Sequence, residues 1–262
     1  MKQTVNNWLK YKHLSKYANF FKNQLTLLLK PHCFLCASNQ IGKHGLCQAC
    51  LKDLTWSPAS SCPQCGLSSG GQICGSCISS TPDFDKTHAV FLYAFPVDTM
   101  IQRYKYGGTL SLSHTFGQLI GEKIQSTINH DAIDLIIPMP MHPTRLKERG
   151  FNQALEIAKI LDGYLHKTST LNNASKNSIS KLDYKSVTRH TLTPPQASMP
   201  LKDRVKNIKG AFKINKELTG KRVAIVDDVM TTGASLNELA KTLKKAGATH
   251  VECWVIARTL SH

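Results

Sequence analysis

The chain has 262 residues, is 41% hydrophobic, and carries 33 Lys and Arg against 17 Asp and Glu, a formal net charge of +16. That length suits one medium domain plus a small one, and that composition supports a buried core rather than a disordered chain. No apolar run approaches the roughly 18 residues of a membrane span, Leu25–Leu29 being the longest candidate, and the charge excess favours polyanions: nucleic acid, anionic lipid or phosphorylated small molecules.

Residues 1–30 contain six lysines and no acidic residue. Leu14, Tyr17, Phe21, Leu25 and Leu28 recur every three or four positions, which predicts a basic amphipathic helix that stops before Pro31. Its apolar stripe suits packing on the protein itself or on a second copy; lipid or nucleic acid are the other surfaces it could meet. No extended apolar segment with a small-residue cleavage site lies near Met1. The expectation is therefore a cytoplasmic protein whose thiols stay reduced.

Eight of the nine cysteines form four Cys-x-x-Cys pairs within residues 31–80: Cys33/Cys36, Cys47/Cys50, Cys62/Cys65 and Cys74/Cys77. Reduced paired thiols at this spacing point to metal, because one tight turn aims two sulfurs at one ion and two turns complete a tetrahedron. Eight thiolates fit two Zn2+ ions, as nearest-neighbour tetrads or cross-braced; an iron–sulfur cluster is the competing occupant. With only cysteine ligands no coordination position stays open, so the metal is read as structural. The segment is poor in large apolar residues, and the metal stands in for a core. Phe34, Leu46 and Trp56 are its candidate docking residues, and Cys253, alone in an apolar stretch, is read as core.

From residue 82 onward strands and helices alternate. Thr87–Phe95 reads as a strand, and the stretch after it starts helical and breaks at Gly107-Gly108. A helix follows over Leu110–Ile128, then a short strand over Asp134–Pro140 and a helix over Phe151–His166. Lys167–Pro200, rich in Ser, Thr and Asn, reads as a long polar loop. A strand over Lys221–Val229 is followed by a helix over Ser235–Ala246 and a final strand over Thr249–Ala257. The alternation predicts an α/β fold: a parallel sheet over residues 82–262 flanked by helices.

The motif with most chemistry is VAIVDDVMTTGAS, Val223–Ser235. Ligands of open parallel sheets bind where strands end and helices begin. Asp227 and Asp228 at such an end suit the paired hydroxyls of a ribose. The following Val229, Met230, Thr231, Thr232, Gly233, Ala234 and Ser235 lead into a helix N-terminus whose unpaired N–H groups suit a phosphate. Together they describe a ribose 5-phosphate site. This stretch resembles the 5-phosphoribosyl 1-pyrophosphate (PRPP) motif of type I phosphoribosyltransferases. That resemblance gives the acid pair to the ribose and the loop to the 5-phosphate, with Mg2+ accompanying the pyrophosphate. Purine-salvage members carry an aspartate directly before the Thr-Gly; here Thr231 occupies that position, which argues against purine salvage.

Five further stretches, in order, widen the resemblance: YKYGG (104–108), IPMPMHPTRLKERGFNQA (137–154), RHTLTPPQ (189–196), RVKNIKGAF (204–212) and the motif above. With a double zinc ribbon before them they resemble the ComF family over nearly all of residues 31–262. Met139, Pro140 and Met141 resemble the pyrophosphate loop, and Arg145, Lys147 and Arg149 could meet its charge. Arg189, Gln196 and Arg204 flank the polar stretch where phosphoribosyltransferases carry a lid. Tyr104, Lys105 and Tyr106 combine rings with a positive charge, suited to a base, to single-stranded nucleic acid or to plain packing. The resemblance implies natural transformation in bacteria, with single-stranded DNA handled on the cytoplasmic side near the inner membrane. It implies PRPP as ligand and a DNA-uptake helicase or other competence proteins as partners. A working phosphoribosyltransferase acting on an unidentified base is the alternative, with no residue standing out as a general base.

Overall fold

The computed structural model describes residues 32–127, 133–171, 180–192 and 208–260. The basic helix expected over 1–30 and the lid candidates Gln196 and Arg204 lie outside the described residues. The chain forms two compact units, residues 1–52 and 53–262, so the two cysteine tetrads fall in different units. In the first unit a chain reversal at Ala37 (φ 58°) precedes the short helix α1 (Gln48–Lys52).

The second unit opens with α2 (Gly75–Ser79) and continues as β1 (Lys86–Leu92), α3 (Val97–Tyr106), α4 (Leu112–Thr127), β2 (Leu135–Pro138), α5 (Pro143–Arg149) and α6 (Gln153–Leu171). Then come β3 (Lys181–Leu182), β4 (Val187–Arg189), β5 (Phe212–Ile214), β6 (Arg222–Met230), α7 (Ala234–Lys245) and β7 (His250–Arg258). Five strands form one parallel sheet in the order β1-β7-β6-β2-β3. The expected α/β architecture is therefore the observed one. β4 and β5 pair separately as an antiparallel ribbon.

Residues Val223–Val226 of the central strand β6 are fully buried, as apolar, mostly β-branched residues covered on both faces should be. On one face lies α7, whose Leu236, Leu239, Ala240 and Leu243 form an i, i+3, i+4, i+7 stripe and are all buried. α4 and α6 pack against each other at a closeness only glycine permits. A Cβ on Gly117 would lie 2.6 Å from Ile160 Cβ, and one on Gly121 would collide with the Tyr164 ring. Neither partner is a flexible chain end, so Gly117→Val should cost about 3 kcal/mol through overpacking. Equilibrium urea unfolding checks this; an unchanged midpoint would show that the two helices separate freely.

Two differences from the sequence reading matter for the site. β6 runs through the acid pair to Met230, one residue past the expected strand end at Val229, but it is not flanked equally there. β7 supplies ladder partners as far as Met230, opposite Arg258, whereas β2 stops at Pro138, opposite Val226. Asp227 and Asp228 thus sit where β6 keeps one neighbour and loses the other. The expected polar loop also carries structure: α6 runs to Leu171, β3 joins the sheet edge, and β4 meets β5. Two- and three-residue strands leave almost no period in a polar sequence. Asp183 fixes this region by accepting from the Ser186 amide (3.0 Å), the Ser186 hydroxyl (2.6 Å) and Lys216 Nζ (3.1 Å). Burial opposes its charge, but these donors outweigh burial and hold its carboxyl at about 2.

Candidate functional site

Because the main sheet is parallel, β1, β2 and β6 release their carboxyl ends on one edge. There a cavity of about 490 Å³ opens. Of the candidate residues it gathers Lys105, Tyr106, Met139, Pro140, Met141, Arg145, Arg149, Arg189, Asp227, Asp228, Val229, Thr231 and Ser235.

The acid pair lines it. The Asp228 amide donates to Asp227 Oδ1 (2.9 Å), and Lys105 Nζ lies 2.9 Å from Asp228 Oδ1. Burial first, then the neighbouring Asp228 carboxylate, push the Asp227 carboxyl up to about 7. Burial works against charge on Lys105 too, but Asp228 outweighs it and holds the ammonium above its ordinary range. Lys105 therefore belongs to the acid pair in this state rather than to an outer nucleic-acid surface.

The turn after β6 brings α7 to the cavity. Gly233 adopts φ 80°, and a Cβ there would lie 2.8 Å from Met230 Cε, so this position needs glycine. The Thr232 hydroxyl accepts from the Ala234 amide (3.2 Å), so it shapes the turn, while Thr231 and Ser235 line the cavity. Met230 is 1% exposed and belongs to the core. Ala234 opens α7, whose first N–H groups have no partner within the helix.

The opposite wall comes from α5. His142 caps it by accepting from the Thr144 amide (3.2 Å), Pro143 occupies the first turn, and Gly150 ends it at φ 79°. Arg145 and Arg149, four residues apart, share the face that lines the cavity; Lys147 lies between them in sequence, is exposed and does not line it. Arg149 donates to Gln153 Oε1 (3.2 Å) and to the Tyr106 hydroxyl (3.4 Å), with its guanidinium carbon 5.2 Å from the Tyr106 ring centroid. Arg189 reaches the cavity from β4 and lies 5.8 Å over the Phe212 ring.

Of the alternatives open for it, Tyr104 shows plain packing. It is fully buried, packs on Phe116 and Phe151 at 5.6 Å, and donates its hydroxyl to the Gln153 carbonyl (2.9 Å). Its neighbour Tyr106 is 75% exposed. The sequence reading missed Tyr93, Gln102, Asn152 and Gln153, which also line the cavity. Asn152 was findable as the cap of α6: its side chain accepts from the Leu155 amide (3.3 Å) and donates to the Met139 carbonyl (3.1 Å).

Each cysteine tetrad brings its four sulfurs within 4.8 Å of one another, in the nearest-neighbour pairing. The sulfurs of Cys36 and Cys47, and those of Cys65 and Cys74, lie 3.6 Å apart. Zn–S bonds of about 2.3 Å in a tetrahedron require sulfurs about 3.8 Å apart, so the donor sets fit structural zinc. Backbone amides support the sulfurs: Cys50 N–H points at Cys47 Sγ and Cys74 N–H at Cys62 Sγ, both at 3.4 Å. Burial resists ionisation of Cys62, yet the amides of Cys65, Cys74 and Gln64 bring its thiol down to about 7. Within the second unit, Trp56 packs on Phe91 of β1 with centroids 4.8 Å apart.

Profiles of two families match the chain: the phosphoribosyl transferase domain over residues 148–262 and the double zinc ribbon domain over residues 24–78. Over 235 residues the chain is 34% identical to Competence protein F of Haemophilus influenzae, covering 86% of this chain and 96% of that one. It is 29% identical over 234 residues to the DNA utilization protein YhgH of Escherichia coli K12, covering 87% and 97%. It is also 25% identical over 221 residues to Competence protein ComFC of Streptococcus pneumoniae, covering 81% and 87%. Among the described residues no helix is long and apolar enough to cross a membrane.

Proposed function

The chain belongs to the ComF family of competence proteins, and from that membership we propose that it binds Mg2+-PRPP and single-stranded DNA on the cytoplasmic side during DNA uptake. The observation that carries this reading is the meeting, in one cavity, of an acid pair, a helix-opening turn and three arginines. In this arrangement the 5-phosphate lies against the first amides of α7 with the Thr231 and Ser235 hydroxyls. Asp227 and Asp228 accept from the ribose hydroxyls, and Lys105 shifts from Asp228 toward the ligand's negative charge. Arg145, Arg149 and Arg189 face the pyrophosphate. When bound with the pyrophosphate, Mg2+ would supply charge neutralisation there, with Asp227 and Asp228 as the acidic residues lining the same cavity.

For nucleic acid the exposed Tyr106, backed by Arg149 at 5.2 Å, is the stacking platform at the cavity rim. The +16 charge supplies the sequence-independent attraction. Tyr106→Ala should weaken binding of a short oligothymidine about tenfold through lost stacking and leave the salt slope unchanged. Fluorescence anisotropy across a salt series checks both halves. Wild-type binding that ignores salt, or is lacking at low salt, would contradict the DNA reading. The zinc ribbons then serve as a docking surface for a DNA-uptake helicase or another competence protein.

The match of residues 148–262 to the phosphoribosyl transferase domain favours a second reading, transfer of ribose 5-phosphate to an unidentified base. The C1–pyrophosphate bond breaks as the base attacks, with arginines stabilising the departing charge and the carboxylates the developing ribose cation. Pyrophosphate release across a panel of bases separates the readings. Turnover supports the transferase; saturable binding without turnover supports a sensor.

A further inference from the structure

Arg258, the last residue of β7, is a buried charge that the proposed binding scheme does not use; it is 5% exposed. Its Nε donates to the Cys65 carbonyl at 2.8 Å. Its Nη1 faces the Met230 carbonyl at 3.1 Å, the Thr231 carbonyl, and the carbonyl of its neighbour Thr259 at 3.1 Å. One guanidinium thus joins the second metal knuckle to the two carbonyls where β6 turns toward α7. A second link runs beside it. Thr87 receives the knuckle through its amide, which donates to the Pro63 carbonyl (3.0 Å), and its hydroxyl, which donates to the Gln64 carbonyl (2.6 Å). That hydroxyl also lies 3.9 Å from Met230 Sδ. Gly66 leaves room for this contact: at φ 73°, a Cβ would lie 3.2 Å from Thr87 Cγ2 and 3.8 Å from Arg258 Cδ.

We propose that Arg258 is a positioning residue through which the metal-filled Cys62–Cys77 knuckle sets the orientation of the phosphate-binding turn, so that metal at this tetrad and sugar phosphate in the cavity stabilise each other. The reason lies in the trans peptide. A carbonyl and the N–H of the same peptide plane point in opposite directions. Fixing the Met230 and Thr231 carbonyls on Arg258 therefore fixes the Thr231 and Thr232 amides facing the other way. Arginine suits this because its planar fork holds several acceptors in one fixed arrangement, which a lysine cannot do. The ligand must not have to order the turn itself, and that preorganisation raises affinity. Reciprocity then requires the ligand to protect the metal. The linkage to ligand rests on the PRPP reading above; the linkage of knuckle to turn does not.

The test uses the full chain loaded with two zinc ions, and Arg258→Met beside Arg258→Lys. Zinc content, Mg2+-PRPP affinity by calorimetry, and amide hydrogen exchange over residues 229–235 are measured on each. N-ethylmaleimide modification under a zinc chelator, localised by mass spectrometry, then reports metal loss at each tetrad. Arg258→Met should keep two zinc ions, bind Mg2+-PRPP at least tenfold more weakly, and exchange faster across 229–235. Arg258→Lys should fall between it and wild type. In wild type, Mg2+-PRPP should slow modification of Cys62–Cys77 at least tenfold and leave Cys33–Cys50 unchanged; in Arg258→Met that protection should vanish. Protection that persists in Arg258→Met, or is lacking in a wild type that binds the ligand, would overturn the proposal. A wild type that binds no Mg2+-PRPP sinks the ligand reading alone, and hydrogen exchange then decides. Faster exchange at 229–235 in Arg258→Met, and in wild type stripped of zinc, supports the brace; unchanged exchange refutes it.

Discussion

Asp227→Asn should make the ligand-free protein more stable at pH 8 while weakening binding of Mg2+-PRPP about tenfold or more. Asp227 is pushed up to about 7 by burial and by Asp228. The native state therefore holds a proton that the unfolded chain, with a carboxyl near 4, releases, so stability falls as pH rises between those two values. At pH 8 the native protein carries an ill-placed negative charge that asparagine lacks. We expect a gain of about 2 kcal/mol, or roughly 5 °C in the thermal midpoint. The gain should shrink as pH falls and vanish near pH 4, where both states bind the proton. Binding moves the other way, because each carboxylate–hydroxyl bond contributes about 1.5–3 kcal/mol. Replacing both acids should cut affinity by about a hundredfold or more. Thermal scans at pH 5 and 8 with calorimetry at pH 8 read both effects. Lower stability of Asp227→Asn at pH 8 would contradict the assigned charge strain.

Removal of zinc should open the second ribbon while leaving the sheet folded. The apolar cluster around that tetrad consists of Cys62, Cys65 and Cys77 with Leu67 and Cys74 beside them. Nothing in it replaces the metal, whereas the core around β6 and α7 is a separate, larger cluster of aliphatic side chains. Structural zinc contributes on the order of 10 kcal/mol of binding free energy at neutral pH. A chelator should therefore open residues 53–80 to chymotrypsin at Trp56 and Leu67, with little loss of helical circular dichroism. Adding zinc should restore protection. A chelated protein as resistant as the zinc-loaded one would show that the backbone ties to β1 suffice alone.

Local patterns carried most of what the sequence revealed. The acid pair, the glycine turn and α7 lie within one continuous stretch, and the cysteine spacing states its own coordination. Helical periodicity held more than was read from it. Val97, Met100, Ile101 and Tyr104 are spaced i, i+3, i+4, i+7 and all are buried, which sends Tyr104 inward and Tyr106 outward. The same rule puts Arg145 and Arg149 on one face of α5 and Lys147 off it. Arg258 left no such trace. It ends an apolar strand, and its role depends on Cys65 and Met230, distant in sequence and joined only by the sheet's register. The short strands β3 and β4 were illegible because their partners, not their own residues, make them strands.

Most direct of all would be a crystal structure of the full chain with Mg2+-PRPP. The account predicts the 5-phosphate on the amides at the start of α7, the ribose hydroxyls on Asp227 and Asp228, and the pyrophosphate toward Arg145 and Arg189. A ligand bound elsewhere at saturation, or a cavity left empty with Asp228 still paired to Lys105, would contradict it.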